Sequence, residues 1–101
     1  MKDEELVEFA KEFREGILDG RKSNFMCAAV SWPLCGLLNF YGVKCQTVEG
    51  DLGEMNHVWI ELEDGRVLDP TADQFNELFS LNHHPVYLGA PLAFHPPPNP
   101  S

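Results

Sequence analysis

The amino-acid sequence predicts a small α+β domain in which N-terminal helices pack on an antiparallel sheet. Residues 3–41 carry apolar side chains at helical spacing, whereas residues 43–69 change to the alternating period of strands. The chain has 101 residues, which suits one domain with one modest hydrophobic core. We expect a single domain over residues 1–95, followed by a proline-rich tail at 96–101 that is extended or disordered.

The first predicted helix covers residues Asp3 to Leu18. Its apolar residues share one face at a period of 3.6 residues: Leu6, Phe9, Ala10, Phe13 and Ile17. Glu4 and Glu5 lie in the first turn, where negative charge is favoured by the helix dipole. Gly20 suits the end of this helix.

The second predicted helix starts at Ser23 or Asn24, both good N-cap residues, and ends before Gly42. Its apolar residues again keep helical spacing: Cys27, Val30, Leu34, Leu37, Leu38 and Tyr41. Pro33 lies inside this pattern and has no N–H for the carbonyl of Ala29, so a kink is expected there. The composition predicts that this helix is buried.

Short strands are predicted after the second helix. They are VKCQTVE (43–49), NHVWIEL (56–62), RVLD (66–69) and VYL (86–88). Residues 50–55, which include two glycines, are predicted to form a loop, and residues 71–79 are predicted to form a turn or a short helix.

The hairpin between the second and third strands decides where Asp69 points. A loop of two residues would place Asp69 on the face away from His57, whereas a loop of three residues, 63–65, places it opposite Trp59. Asp69 is then the diagonal neighbour of His57, and Gly65 suits the left-handed position of such a loop. We therefore expect a three-residue loop, a positive φ at Gly65, and Asp69 next to Nδ1 of His57.

Composition and charge disfavour several classes of protein. Hydrophobic residues at 44% and charged residues at 23% are typical of a soluble globular domain. The net charge of −9 argues against a nucleic-acid surface, which needs Lys and Arg, but is compatible with a basic partner or substrate. No apolar run reaches the roughly 20 residues of a membrane span, and the acidic N-terminus lacks the apolar stretch of a signal peptide. We expect a cytoplasmic protein that binds neither membranes nor nucleic acid.

Three cysteines, with no C-x-x-C pair, favour free thiols in a cytosolic protein. Cys27 falls in the first turn of the second helix, where free backbone N–H groups and the dipole stabilise a thiolate. Taken alone, Cys27 is also well explained as a small buried residue. Cys35, far along the helix, and Cys45, in a strand, are expected to be structural.

His57 and Asp69 each have an ordinary explanation when considered singly. A histidine on a half-buried strand is more often structural than catalytic, and Asp before Pro70 often starts a turn. Cys27, His57 and Asp69 nevertheless occur in the order of a helix start followed by two strands, which fits an activated thiol.

Residues 23–75 resemble the catalytic core of the transglutaminase-like superfamily, a branch of the papain-like cysteine enzymes. The resemblance rests on NFMCAAV, on LLNFYGVKCQTVEG, and on NHVWIELEDGRVLDPTADQF with its His-x-Trp strand and Asp-Pro-Thr segment. It implies Cys27 as nucleophile, His57 as general base and acid, and Asp69 as the carboxylate that orients the imidazole.

The resemblance further implies a thiol enzyme acting on amide or ester bonds, by hydrolysis, deamidation or acyl transfer, without a cofactor. Its substrate would be a peptide, a protein side-chain amide or a small acyl compound. Arg21 stands where papain-like proteases carry the glutamine of the oxyanion hole, six residues before the cysteine. The candidates for an oxyanion or substrate contact are then Asn24, Asn56, Trp59 and Gln74.

Two other interpretations of the sequence are considered. A catalytically inactive acidic binding module or inhibitor on the same fold would agree with the small size and the missing glutamine. A structural zinc is disfavoured, because adjacent His83 and His84 cannot easily reach one ion with His95, and the cysteines lack zinc-ligand spacing.

Overall fold

The apolar faces of two helices and one face of an antiparallel sheet meet in the hydrophobic core. The computed structural model describes residues 2–22, 26–52, 56–76 and 84–96. The elements in this part of the chain are α1 (Asp3–Leu18), α2 (Cys27–Phe40), β1 (Cys45–Asp51), β2 (Asn56–Leu62), β3 (Val67–Asp69), a 3₁₀ helix (Ala72–Phe75) and β4 (Tyr87–Gly89). The strands follow the order β1-β2-β3-β4, and each pair is antiparallel. This is the α+β class that the sequence predicts.

Helix α1 begins and ends where the sequence predicts. Leu6 and Ala10 are buried in the core that α1 forms with α2 and the sheet. Arg14, one turn further along the same face, is also buried. The guanidinium of Arg14 donates to both carboxylate oxygens of Asp73, at 3.1 and 3.3 Å. Arg14 therefore ties α1 to the 3₁₀ helix.

Helix α2 begins at Cys27 with Met26 as its N-cap, so the predicted start at Ser23 or Asn24 is wrong. Ser23 and Asn24 themselves lie outside the described residues. The helix runs through Pro33, and its inner residues are fully buried. The prediction that the whole helix is buried is wrong for its outer face, where Trp32 is 59% and Phe40 is 81% exposed. The reason is that the sheet and α1 cover only part of the circumference of α2. Among the described residues, no helix is both long enough and apolar enough to cross a membrane.

The β2–β3 hairpin has the predicted three-residue loop. Ile60 pairs with Leu68 and Glu61 with Val67, which is the register that a loop at 63–65 requires. Gly65 has a φ of +89°, a left-handed conformation that glycine adopts without a side-chain penalty. Extending the register by one residue brings Asp69 opposite Trp59, on the face that carries His57.

The two faces of the sheet have different coverings. The face with Ile60 and Leu68 packs on α1 and α2. The opposite face carries Trp59, whose ring lies 5.1 Å from that of His95 in the C-terminal segment 92–96. Because both faces are covered, residues 57–60 are all buried and the polar-out alternation disappears.

The predicted boundary between domain and tail falls at Pro96, and most of the tail, residues 97–101, lies outside the described residues. A methyl group built on Gly50 would lie 2.7 Å from Cη2 of Trp59 and 2.8 Å from Cγ of Pro96. Gly50 is also the cross-strand partner of His57. Pro96 is therefore packed on the sheet, beside the strand position that holds His57.

We expect Gly50→Ala to lower the free energy of unfolding by about 1–3 kcal/mol, because the added methyl group overpacks a tight contact. Urea unfolding followed by tryptophan fluorescence measures this change. Gly36→Ala is the control, since Gly36 lies in exposed helix with nothing within 4 Å of its added Cβ. That control should gain about 0.5–1 kcal/mol from helix propensity. Equal unfolding energies for wild type and Gly50→Ala would contradict the tight contact.

Candidate active site

Cys27 lies at the first residue of α2, against the start of β2. Its Sγ is hydrogen-bonded to His57 and to the backbone amides of Val58 and Ala28. Burial by itself raises the pKa of the Cys27 thiol, but these hydrogen bonds and the charge of His57 outweigh it and hold the pKa below the ordinary value. One turn further on, the hydroxyl of Ser31 donates to the carbonyl of Val58 at 3.3 Å, which fixes α2 on β2. The thiol is therefore set up to ionise.

His57 links the thiol to the carboxylate. Its side chain is fully buried, and Nε2 lies 2.7 Å from Oδ2 of Asp69. The prediction that Asp69 faces Nδ1 is therefore wrong in its choice of nitrogen. Diagonal neighbours on paired strands are roughly 7–8 Å apart, so the nitrogen farther along the ring, Nε2, spans the gap. Nδ1 is the ring nitrogen that does not face Asp69.

The surroundings of His57 favour its protonated form. Burial lowers the pKa of His57, but hydrogen bonds to Asp69 and Cys27 outweigh burial and raise the pKa to about 9. The lowered pKa of Cys27 and the raised pKa of His57 both favour the thiolate–imidazolium form of this pair.

Asp69 is a fully buried carboxylate with donors on both oxygens. Oδ1 accepts from the Thr71 backbone N–H at 3.0 Å and the Thr71 hydroxyl at 3.4 Å. Oδ2 faces Nε2 of both His57 and His95, each at 2.7 Å. Burial alone would raise the pKa of Asp69, but the hydrogen bonds to His57 and His95 outweigh it and lower the pKa to about 2. The carboxylate is therefore ionised throughout the neutral range.

Gln74 is the predicted contact residue that the structure places directly against His57. Its Nε2 lies 3.1 Å from Nδ1 of His57 and donates to Oγ1 of Thr71 at 2.9 Å. A donor at Nδ1 corresponds to the neutral imidazole with its proton on Nε2. Gln74 thus links the ring of His57 to Thr71, which in turn binds Asp69.

The other predicted contact residues are placed differently. Asn56 is exposed and donates to Oε1 of Glu49 at 2.8 Å. Trp59 is 3% exposed, with its ring 5.4 Å from that of His57, so it packs on the imidazole. Asn24 lies outside the described residues.

His95 is a residue of this site that the sequence motifs do not predict, since they connect it only with a possible zinc site. It comes from the C-terminal segment, 26 residues after Asp69. The neighbouring apolar residues Leu92 and Phe94 are a signal that this segment packs, but nothing in the local sequence connects His95 with Asp69.

His57, Asp69 and His95 have the side-chain types of a metal centre, and their ligand atoms lie within 4.8 Å of one another. The 2.7 Å contacts are hydrogen-bond distances, whereas two ligands each ~2.1 Å from a tetrahedral zinc lie more than ~3 Å apart. Nδ1 of His95 also accepts the Leu92 N–H at 3.0 Å, so a neutral His95 carries its proton on Nε2. For these residues, the geometry fits a hydrogen-bond network better than a metal site.

Cys35 and Cys45 form a separate pair of free thiols, with their sulfurs 3.5 Å apart. Burial and the hydrogen bond to Cys35 raise the pKa of Cys45 to about 12. Cys45 pairs with Leu62, at the opposite end of β2 from His57. Cys45 is therefore a poor nucleophile, and it lies far from the triad of Cys27, His57 and Asp69.

Cys27, His57 and Asp69 are thus brought together as the sequence motifs predict. Comparisons of the chain with protein-family models, with curated proteins and with solved structures give no match. A function for this protein therefore has to be inferred from its motifs and from the geometry of the Cys27 site.

Proposed function

We propose that the protein is a cysteine enzyme of the transglutaminase-like type, which forms an acyl-enzyme on Cys27 at an amide or ester bond. The observation that carries this proposal is the position of His57, which hydrogen-bonds Cys27 on one side and Asp69, at 2.7 Å, on the other. A buried imidazole between a thiol and a carboxylate is the arrangement that nucleophilic cysteine catalysis requires.

In this mechanism the Cys27 thiolate attacks the carbonyl carbon, and the carbonyl oxygen takes up the negative charge. The backbone N–H of Cys27, in the first turn of α2, has no acceptor within the helix and is the proposed donor to that oxyanion. The amide of Gln74, 3.1 Å from Nδ1 of His57, is a second candidate donor. The C–N or C–O bond then breaks, and Nδ1–H of His57 protonates the leaving group.

Release of the acyl group reverses the proton transfer. Neutral His57 takes a proton from water or an amine as that nucleophile attacks the thioester, and Cys27 leaves as a thiolate. Asp69 keeps its negative charge throughout and stabilises the imidazolium. Water as nucleophile gives hydrolysis or deamidation, and an amine gives acyl transfer.

The substrate in this proposal is a peptide, a protein side-chain amide or a small acyl compound. The net charge of −9 favours a basic substrate. The chemistry needs no cofactor, and it needs Cys27 in its reduced form, which a cytoplasmic location provides.

Thiol alkylation provides a test that needs no substrate. At pH 7 we expect Cys27 to react with iodoacetamide at least about tenfold faster than Cys45, because the pKa of Cys27 is lowered and that of Cys45 is raised. As pH increases, the alkylation rate of Cys27 should begin to rise at pH values below the ordinary thiol pKa and then reach a plateau. It should change again near pH 9, where His57 loses its proton. Mass spectrometry of tryptic peptides measures the rate at each cysteine.

The same protein unfolded in guanidinium is the control, since all three thiols should then react alike. Uniform slow labelling of the folded chain would support the rival function, an inactive acidic binding module on the same fold. The reaction itself is tested with peptides, side-chain amides and acyl thioesters. A free acid as product identifies hydrolysis, release of ammonia identifies deamidation, and a new amide identifies acyl transfer.

A further inference from the structure

The C-terminal segment places one residue, His95, in direct contact with the carboxylate of the triad. Its side chain is fully buried, and Nε2 lies 2.7 Å from Oδ2 of Asp69, the same oxygen that binds His57. We propose that His95 is a positioning residue, which holds Oδ2 of Asp69 against Nε2 of His57 during the reaction. This inference rests on the proposed function of the Cys27 site.

The direction of the hydrogen bond from His95 follows from its other nitrogen. Nδ1 accepts the backbone N–H of Leu92 at 3.0 Å. A neutral imidazole has one donor nitrogen and one acceptor nitrogen, so Nε2 carries the proton and donates it to Asp69. The turn that begins at Leu92 therefore selects the tautomer that the carboxylate needs.

Packing fixes the plane of the His95 ring. Its centroid lies 4.5 Å from that of Phe94, 5.1 Å from Trp59 and 6.0 Å from Tyr87. A ring held by neighbours on several sides cannot turn away from Asp69 without displacing them. His95 is thus a fixed donor, brought to the triad by a segment that is remote in sequence.

The bond from His95 has a consequence for the orientation of Asp69. Thr71 holds Oδ1 through contacts at 3.0 and 3.4 Å. With these contacts alone, the carboxylate could rotate about its Cβ–Cγ bond and move Oδ2 out of the plane of the His57 ring. A second donor on Oδ2 opposes that rotation.

Two substitutions separate this role from simple packing, because each keeps one of the two His95 hydrogen bonds. His95→Asn keeps an acceptor near Nδ1 for the Leu92 N–H but loses the donor to Asp69. His95→Gln keeps an amide donor near Nε2, within reach of Asp69. Both variants remove the aromatic ring, so any loss of ring packing is common to the two.

The measurements are the pH midpoint of His57, by nitrogen-15 NMR of the imidazole, and the alkylation rate of Cys27 against pH. His95→Gln should keep the His57 midpoint within about half a pH unit of wild type, whereas His95→Asn should lower it by about one pH unit. With a substrate, His95→Asn should lower kcat roughly tenfold to a hundredfold, with KM little changed, and His95→Gln should restore most of the rate.

The outcomes can be assigned to separate causes. An unchanged His57 midpoint in folded His95→Asn overturns the inference. Equal losses in both variants, in step with a lower melting temperature, also overturn it and leave His95 a packing residue. Neither NMR nor alkylation needs a substrate, so a wild-type protein without turnover would remove the proposed function while the His57 midpoint still tests His95.

Discussion

In the mechanism proposed above Cys27 is the nucleophile, so Cys27→Ala is expected to lower turnover by a factor of at least about a thousand by removing the covalent step. The fold should remain, since Cys27 is a small side chain that is only 9% exposed and alanine fits the same space. The pKa of His57 should also fall, since the hydrogen bond and charge of Cys27 both raise it. Single-turnover assays, circular dichroism and imidazole NMR measure the three effects.

Cys45→Ala is the matched control, because it removes a free thiol that lies at the far end of β2. It should leave turnover unchanged. Residual activity of Cys27→Ala above about one part in a thousand would point to a different nucleophile.

Asp69→Asn is expected to lower the free energy of unfolding by about 3–5 kcal/mol, as breaking a buried charge pair usually does. The carboxylate accepts from His57, His95 and Thr71. An amide has one oxygen and one NH₂ group, so its NH₂ group must face at least one of these donors. A domain of this size has roughly 5–15 kcal/mol of stability, so the change is large.

The pH dependence of this difference has a definite sign. The pKa of Asp69 is lowered from 3.8 to about 2, so its contribution is complete above pH 3.8 and is lost as pH falls through 2. The pKa of His57 is raised from 6.5 to about 9, so its contribution is complete below pH 6.5 and is lost as pH rises through 9. The gap between wild type and Asp69→Asn should be widest between these limits.

Urea unfolding at pH 2.5, 5 and 10 measures that gap. Asp64→Asn is the control, since Asp64 is an exposed carboxylate bonded to Arg66, and solvent screens such exposed pairs so that they contribute little to stability. A gap of the same size at all three pH values would show that the charges of Asp69 and His57 are not its source.

Much of the scaffold follows from local sequence signals. Helix α1 has the predicted bounds because its apolar spacing, its acidic first turn and its glycine-containing end agree. The register of the β2–β3 hairpin follows from Gly65 and from the requirement that Asp69 share a face with His57. These features depend on residues close together in the chain.

The missed features depend on residues far apart in the chain. The choice of Nε2 over Nδ1 as the partner of Asp69 goes together with a contact between Nδ1 and Gln74, 17 residues after His57. The burial of Arg14 depends on Asp73, 59 residues later. A residue pattern carries no information on such pairings, because each requires the tertiary arrangement first.

The three-residue loop at 63–65 also determines which mutations the site can survive. Along a strand, side chains point alternately to the two faces. Deleting Val67 or Leu68, between the loop and Asp69, would place Asp69 opposite Ile60, on the face away from His57, although Cys27, His57 and Asp69 all remained in the chain. Substitutions in the exposed loop 63–65 leave this register intact. The number of residues between the loop and Asp69 is therefore under a stricter constraint than the identity of Glu63 or Asp64.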